Sequence, residues 1–333
     1  MLLSIIIPHY NLPAELLKRC IESILSIGID PTIYEIIVID DGSTTPPLWL
    51  KQTFGQENIK LITNTHGGPG AARNTGIEAA SGQYIQFIDS DDTLQQNNAM
   101  QQCIEILKKE SPDILHFKFK LCTTGKIPTK TRNTRVSFSN TISGALYMKT
   151  NNLSGCLWRY FVKKELLDKK EIRFRSNIYH EDEEFNTLTH YHAKTLITSN
   201  AQIYNYCIRR GSITSSYEKE AVEKRLNDHL SVIENLCSYK AAVNHLSNNI
   251  QRKGFERKLA TLTVDHIINR LHAGESAQNI HTLLKERFTP LMLYPIRNGK
   301  YSIKFNIFRL LANHKTGINI LRLIVPTYHK EPK

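Results

Sequence analysis

Three aspartates, at positions 89, 91 and 92, follow an apolar stretch of the sequence. The segment reads Phe-Ile-Asp-Ser-Asp-Asp-Thr over 87–93. Because residues two apart on an extended chain point the same way, Asp89 and Asp91 share a face. Carboxylates this close repel one another, and a divalent cation would relieve that repulsion while bridging them to a diphosphate. A solvated acidic turn that caps the next helix fits the same residues.

A second acidic pair, Asp40 and Asp41, ends an earlier apolar run and is followed by Gly42. Asp-Gly is a common turn, which is one interpretation. The functional interpretation is that one carboxylate accepts the N3–H of a uracil base or holds a ribose hydroxyl. Two apolar runs that both end in aspartate pairs favour the functional interpretation more than either run alone.

Residues 66–74 are rich in glycine and read HGGPGAARN. They lack both the G-x-G-x-x-G spacing of dinucleotide folds and the G-K-[ST] of a P-loop, so neither phosphate cradle is expected. Arg73, in the first turn of a helix that Pro69 opens, can still face a diphosphate. A tight turn with a surface arginine is the alternative.

Four acids stand together at 181–184, in the segment Tyr-His-Glu-Asp-Glu-Glu-Phe over 179–185. The segment is not a zinc-protease H-E-x-x-H, because position 184 is Glu. A solvated acidic helix start is one interpretation, since acids favour a helix N-terminus. The other is a partly desolvated general base that takes the proton from an acceptor hydroxyl.

The elements around these residues predict an α/β fold. Apolar runs predict strands, and helical spacing predicts helices at 14–27 and after Pro69. This alternation predicts a mostly parallel, Rossmann-like sheet with helices on both faces. Ligands bind beyond the carboxyl ends of such strands, where the aspartates stand. The predicted strands are 2–7, 34–40, 59–62, 84–88 and 114–119.

The later part of the chain has a different character, which predicts two domains, 1–217 and 218–333. Residues 123–140 are polar and basic, as in a surface loop, and 218–290 have helical spacing. From 297 to 333 there are eight Lys or Arg and one acid, Glu331. Such a segment can lie on an anionic membrane, or it can be an amphipathic helix packed on its own domain. Its apolar residues include Ile307, Leu310, Leu311, Ile318, Leu321 and Ile324.

Composition sets wider limits on the function. The 333 residues are 41% hydrophobic and 22% charged, as in a folded soluble protein, and the net charge of +12 favours an anionic partner. Six cysteines without a C-x-x-C pair favour reduced thiols in the cytoplasm. The N-terminal MLLSIIIPHYN predicts a buried strand rather than a signal peptide, and no apolar run reaches the ~18–20 residues of a membrane span.

These motifs, in their order and spacing, resemble the family 2 glycosyltransferases of the GT-A fold. The resemblance covers roughly residues 4 to 215. The matching segments are SIIIPHYN (4–11), EIIVIDDGSTT (35–45), GGPGAARNTGIEAASGQYIQFIDSDDTL (67–94), LWRYFVKKELL (157–167), IRF (172–174), HEDEEF (180–185) and YNYCIRRGSIT (204–214). One departure is His9, where the family more often has Thr or Ser.

The resemblance implies a nucleotide-sugar site and a metal ion, Mg²⁺ or Mn²⁺. Asp91 would ligate the metal as part of the D-x-D motif 89–91, with Asp89 as the other carboxylate of that motif and also facing the ribose. Asp182 would be the catalytic base, with Glu181 as the next candidate. The other residues implied in donor binding are Pro8 and Tyr10 at the base, Asp40 and Asp41 at uracil, Arg73 at the base and phosphates, Ser90 within the D-x-D motif, Asp92 near the donor sugar, and Arg209, Arg210 and Ser212 in a loop over the diphosphate.

The expected enzyme is therefore an inverting hexosyl- or N-acetylhexosaminyl-transferase with a UDP-sugar donor. Its acceptor would be a glycan or a lipid-linked saccharide in surface polysaccharide synthesis, at the cytoplasmic face of a membrane. The alternative is a metal-dependent nucleotidyltransferase acting on a sugar phosphate, although the first strand runs into PHYN rather than a glycine- and basic-rich signature. No nucleic-acid-binding motif is present, so no specific nucleic acid is expected.

Overall fold

The computed structural model describes residues 1–55, 58–123, 133, 135–208 and 218–327. The chain forms two compact units. The first consists of Met1–Gly144 and Ser154–Arg210, and the second of Ala145–Leu153 and Gly211–Lys333. The sequence-based boundary between 217 and 218 stays a prediction, because it lies next to residues outside the described part.

One half of the sheet in the first unit is parallel, as predicted. Its strands lie in the order β3-β2-β1-β4, and all neighbours are parallel. Every residue of β2 is buried, which explains why five of its seven residues are apolar. The strands are β1 (Leu3–His9), β2 (Tyr34–Asp40), β3 (Ile59–Thr63) and β4 (Tyr84–Phe87).

The other half of the sheet is mixed and continues β4 in the order β7-β6-β8-β5. β7 is antiparallel to β4 and β6, β6 and β8 are parallel, and β5 is antiparallel to β8. The predicted strand at 114–119 is confirmed as part of β6. The strands are β5 (Thr93–Leu94), β6 (Ile114–Thr123), β7 (Tyr160–Lys163) and β8 (Leu196–Ile208).

Helices pack around this α/β sheet as the spacing predicted. Leu17, Cys20, Ile21 and Ile24 form the buried face of the first helix. Gly28, with φ of 70°, lies just beyond its end. Up to residue 192 the helices are α1 (Ala14–Leu25), α2 (Trp49–Phe54), α3 (Gly68–Ala79), α4 (Ala99–Glu110), α5 (Gly144–Thr150), α6 (Lys164–Lys169) and α7 (Glu181–His192).

The second unit is helical, which confirms the predicted helical C-terminal region. Its two long helices bury an apolar face that includes Ile233, Leu236, Leu259 and Leu262. No helix in the described part is long and apolar enough to cross a membrane. After α5, its helices are α8 (Lys219–Val243), α9 (Asn249–His272), α10 (Ala277–Leu283), a π-helical turn (Leu284–Phe288), α11 (Ile303–Ala312) and α12 (Lys315–Ile324).

Candidate active site

The carboxyl ends of β1 and β2 lie side by side and carry the first group of candidate residues. His9 pairs in register with Asp40, and their exposed fractions are only 4% and 0%. Burial lowers the pKa of His9, and the nearby carboxylate of Asp40 offsets only part of that shift. Nδ1 of His9 and Oδ2 of Asp40 have no hydrogen-bond partner among the described residues. An unpaired buried polar atom is costly, and a bound ligand would remove that cost.

Asp41 fixes the glycine-rich loop that follows β3. Its Oδ1 accepts a hydrogen bond from the Gly67 N–H at 3.0 Å, and its Oδ2 accepts one from the Gly68 N–H at 2.9 Å. Nδ1 of His66 lies 2.8 Å from the same Oδ2. The His66 ring stacks on Tyr10 with 4.1 Å between centroids, and Tyr10 is 43% exposed. The loop thus supports an exposed aromatic ring on which a base can stack.

Gly70 lets the start of α3 lie against the segment before α7. A Cβ at this position would lie 2.6 Å from the carbonyl oxygen of Arg175 and 3.2 Å from Cγ of Glu181. Glycine is therefore required for this close approach. Arg73 follows on the same helix, three residues later, and the approach brings it to Glu181.

Arg73 joins two of the acidic segments singled out in the sequence. Its Nη1 donates to Oε1 of Glu181 at 2.7 Å, and its Nη2 donates to Oδ1 of Asp89 at 3.2 Å. The guanidinium also lies over the ring of Phe174, 5.6 Å from its centroid. Burial opposes its charge, but Asp89 and Glu181 outweigh burial and raise the pKa of Arg73 above its usual value. One buried cation thus holds α3, the end of β4 and the start of α7 together.

Tyr204, on β8, organises the turn after β4. Its hydroxyl accepts a hydrogen bond from the Asp89 N–H at 3.1 Å and donates to Oδ2 of Asp92 at 2.6 Å. Oδ1 of Asp92 accepts from the Cys207 N–H at 2.6 Å. Burial, with a contribution from Asp89, raises the pKa of Asp92 to about 8. Asp92 therefore ties the acidic turn to β8 through both of its carboxylate oxygens.

The carboxylates of Asp89 and Asp91 lie nearer the surface. The Asp89 side chain is 34% exposed, and Asp91 is half-buried. Burial raises the pKa of Asp89, Arg73 opposes that rise, and Asp91 adds to it. The turn therefore places two partly exposed carboxylates beside one buried arginine.

Asp182 lies in the first turn of α7, where the helix dipole favours a carboxylate. The helix begins after His180, whose φ is 64°. Asp182 itself is half-buried. A Cβ at Gly155 would lie 2.5 Å from Oδ2 of Asp182, so that glycine backbone packs directly on the carboxylate. The start of α7 therefore presents one acid, Glu181, to Arg73 and the next, Asp182, to the 154–156 loop.

Comparisons with known proteins agree with this geometry. The model of Glycosyl transferase family 2 matches residues 4–169. An uncharacterized glycosyltransferase of Haemophilus influenzae is 30% identical over 189 residues, which cover 55% of this chain and 70% of that protein. The chain belongs to glycosyl transferase family 2.

Other relatives of this family 2 glycosyltransferase extend the comparison. The glycosyltransferase EpsJ of Bacillus subtilis is 28% identical over 233 residues, 68% of this chain and 66% of EpsJ. A poly(ribitol-phosphate) beta-glucosyltransferase of Bacillus spizizenii is 30% identical over 215 residues, 63% of this chain and 33% of that protein. The chain thus spans just under two thirds of the first of these and one third of the second.

A solved structure shows the same fold. The crystal structure of S. aureus TarS 1-349, in complex with UDP-GlcNAc, superposes with a TM-score of 0.67. The match covers 99% of this chain and 93% of that one, at 20% sequence identity. It confirms the GT-A fold that the sequence predicted.

The structure places the predicted site residues of this family 2 glycosyltransferase at the ends of β1, β2 and β4 and at the start of α7. Arg73, Asp89 and Glu181 form one connected group, and Tyr10 and Asp41 form a second through His66. Pro8 lies on β1, in register with Ile39. Ser90 is buried, at 2% exposure, within the acidic turn. Arg209, Arg210 and Ser212 lie outside the described residues, so their roles stay predictions.

Two positions in the site were not singled out by the sequence analysis. Tyr204 falls within a segment that resembles the family, but nothing in its type indicated that it would hold both Asp89 and Asp92. Gly155 stands in an ordinary loop sequence, and its closeness to Asp182 comes only from the fold. Both oxygens of Asp92 are bonded to the protein, and its role toward a donor sugar stays a prediction.

The residues after β4 fit a divalent cation. Asp89 and Asp91 offer hard oxygen ligands, which suit Mg²⁺ or Mn²⁺. Among the described residues, no group of three or more His, Cys, Asp or Glu side chains is arranged to hold a metal. A cation held by one or two carboxylates would be completed by substrate phosphates.

We expect Arg73→Met to lower the free energy of unfolding of the first unit by about 3 kcal/mol, since it leaves Glu181 buried and unpaired. Trp49 and Trp158, the two tryptophans of the chain, both lie in this unit, so fluorescence during urea unfolding reports on it. Arg173→Met is the matched control. Its partner Asp168 is 39% exposed and keeps a second ion pair with Lys164. A change below about 1 kcal/mol is expected there, and equal losses would contradict the proposed difference.

Proposed function

We propose that this chain transfers a sugar from a UDP-sugar to a hydroxyl group of a glycan or lipid-linked saccharide, with inversion at the anomeric carbon. The observation that carries the proposal is the double ion pair of Arg73, which connects the acidic turn after β4 to the acidic start of α7. A leaving diphosphate and an attacking hydroxyl need carboxylates of different roles close together. By holding Asp89 and Glu181, Arg73 keeps the turn that carries Asp91 near the start of the helix that carries Asp182.

The names of relatives support the donor and the acceptor class. TarS, which shares the fold, was crystallised with UDP-GlcNAc. One relative is named as a glucosyltransferase acting on poly(ribitol-phosphate), and another, from Staphylococcus aureus, as an N-acetylglucosaminyltransferase on the same polymer. We propose a hexosyl or N-acetylhexosaminyl donor and a polymeric acceptor in surface polysaccharide synthesis.

The chemistry follows from where the acids lie. Asp182 takes the proton of the acceptor hydroxyl as that oxygen attacks the anomeric carbon, and the bond to the UDP oxygen breaks. Asp91 and Asp89 would hold Mg²⁺ or Mn²⁺. When bound, that cation would supply positive charge for the departing diphosphate. Asp40, Asp41 and the exposed ring of Tyr10 bind the uridine, at the edge where His9 and Asp40 have unpaired buried atoms.

We also propose that transfer takes place in the cytoplasm. None of the six cysteines forms a disulfide, and four of them are buried. Reduced, scattered thiols are typical of proteins in a reducing compartment.

A donor panel tests the proposed function. UDP- and GDP-sugars are each incubated with the protein, with and without Mn²⁺, and the released nucleotide is identified. We expect UDP from at least one UDP-hexose or UDP-N-acetylhexosamine. Release of pyrophosphate from a nucleoside triphosphate and a sugar phosphate, without release of UDP from any sugar nucleotide, would instead establish a nucleotidyltransferase.

A further inference from the structure

Each of the last two helices of the second unit leaves a set of large aliphatic side chains in solvent. α11 exposes residues at i, i+4 and i+7, which lie on one face, and α12 exposes residues 320, 323 and 324, which also share a face. The exposed fractions run from 47% to 88%. The six residues, named here the aliphatic face, are Ile303, Ile307, Leu310, Ile320, Leu323 and Ile324.

The aliphatic face is not a consequence of loosely attached helices. Ala312, Ile318 and Leu321 are buried at 0–4% exposure, so both helices also have an inward face. Gly317 packs so closely on the backbone of Leu311 that a Cβ there would lie 2.1 Å from the Leu311 carbonyl oxygen. Each helix therefore has a packed side and a separate, outward apolar side.

The segment that carries the aliphatic face is basic and has no acidic residue. Residues 297–327 contain six Lys or Arg and no Asp or Glu. Lys304 directly follows Ile303 and is exposed. A lysine beside an apolar surface can place its stem on that surface and its charge in the polar layer above it. The six basic residues are Arg297, Lys300, Lys304, Arg309, Lys315 and Arg322.

We propose that the aliphatic face docks on a bilayer of anionic lipids. Exposed apolar side chains in a segment whose charged side chains are all basic match the acyl boundary and the negative headgroups of such a bilayer. A second copy of this chain fits less well, because two acid-free basic segments would then face each other. This inference extends the proposed function to a membrane-held acceptor, but vesicle binding can be measured without sugar transfer.

The test is co-sedimentation of the full chain with vesicles. One set contains phosphatidylglycerol and phosphatidylcholine in equal parts, and the other phosphatidylcholine alone. We expect binding at about 0.05 M NaCl to be at least ~10-fold stronger to the anionic vesicles, and to weaken as NaCl rises to about 0.5 M. The double variant Ile307→Glu/Leu323→Glu should lower binding to anionic vesicles by at least ~10-fold.

Leu246→Glu is the matched control, since Leu246 is 75% exposed and lies outside the two helices. It should bind vesicles as the unchanged chain does. Equal binding to both vesicle types, or an unaffected double variant, would overturn the proposal. So would concentration-dependent dimers in sedimentation velocity that the double variant abolishes while no vesicles are bound. UDP release from the donor sugar is assayed in parallel, so an unchanged chain that releases UDP but does not bind anionic vesicles refutes the docking surface alone.

Discussion

Asp182→Asn should lower turnover by at least about 10²–10³-fold while the fold and UDP binding stay intact. The substitution keeps the size of the side chain and its place beside Gly155, but an amide does not accept the proton of the acceptor hydroxyl. The experiment measures UDP release at saturating donor and acceptor, together with UDP affinity by calorimetry. A fall in kcat with unchanged UDP affinity is the expected signature of a lost general base.

The matched control for this variant is Asp168→Asn, on α6. Asp168 is also an aspartate of the first unit held in ion pairs, with Lys164 and Arg173, but its side chain is 39% exposed and lies outside the candidate site. Its turnover should stay within about threefold of the unchanged chain, since surface pairs contribute little. Near-normal turnover of Asp182→Asn would refute its role as the base, and Glu181 would become the candidate.

Glu181 is the weaker candidate on structural grounds. Its Oε1 is 2.7 Å from the guanidinium of Arg73, and only 7% of the residue is exposed. That oxygen is taken up by the hydrogen bond from Arg73, and the residue has little surface that an acceptor hydroxyl could reach. The geometry therefore gives Glu181 the task of holding Arg73, and we propose the neighbouring Asp182 as the base.

The strands of the parallel half could be predicted from the sequence because each is a short, largely apolar run that is recognisable without knowing its partner strands. β1 and β2 are covered on both sides, so most of their positions are apolar, and the buried Ser4 and Glu35 are hydrogen-bonded to each other. The strands of the mixed half are harder to recognise in the sequence. β7 has only four residues and β5 two, and β8 alternates between buried and exposed positions along part of its length. Their pairing depends on contacts far apart in the sequence, which periodicity does not encode.

The site residues differ in the same way: some could be recognised from the local sequence, and others only from contacts between segments far apart in the chain. The acidic segments were visible because like charges seldom cluster without a reason. That Arg73 would lie between Asp89 and Glu181 was not visible, because the contact with Glu181 joins residues 108 positions apart. Gly155 had no signal at all, since its requirement comes from the carboxylate that the fold places 2.5 Å from the position of a Cβ.

Asp91→Ala should lower turnover by about 10²–10³-fold, equivalent to about 2.7–4 kcal/mol of barrier, if this carboxylate holds the cation at the diphosphate. The acidic turn has Arg73 as its buried cation, and Asp89 is already engaged with it. Asp92 is bonded through both oxygens to Tyr204 and Cys207. Asp91 is half-buried in the same turn, and we propose it as the carboxylate that takes the metal ion.

A binding measurement separates the metal from the turnover. We expect Mn²⁺ to tighten UDP binding to the unchanged chain, and Asp91→Ala to remove that dependence while metal-free UDP binding stays the same. Asp168→Ala, which removes an aspartate outside the site, should keep the full Mn²⁺ effect. A variant that loses turnover but keeps the Mn²⁺ effect would place the cation elsewhere, and an unchanged chain that is indifferent to Mn²⁺ and Mg²⁺ would refute the metal site. Whether a cation is bound matters for the mechanism, since without one the charge of the leaving diphosphate would have to be stabilised by arginines alone.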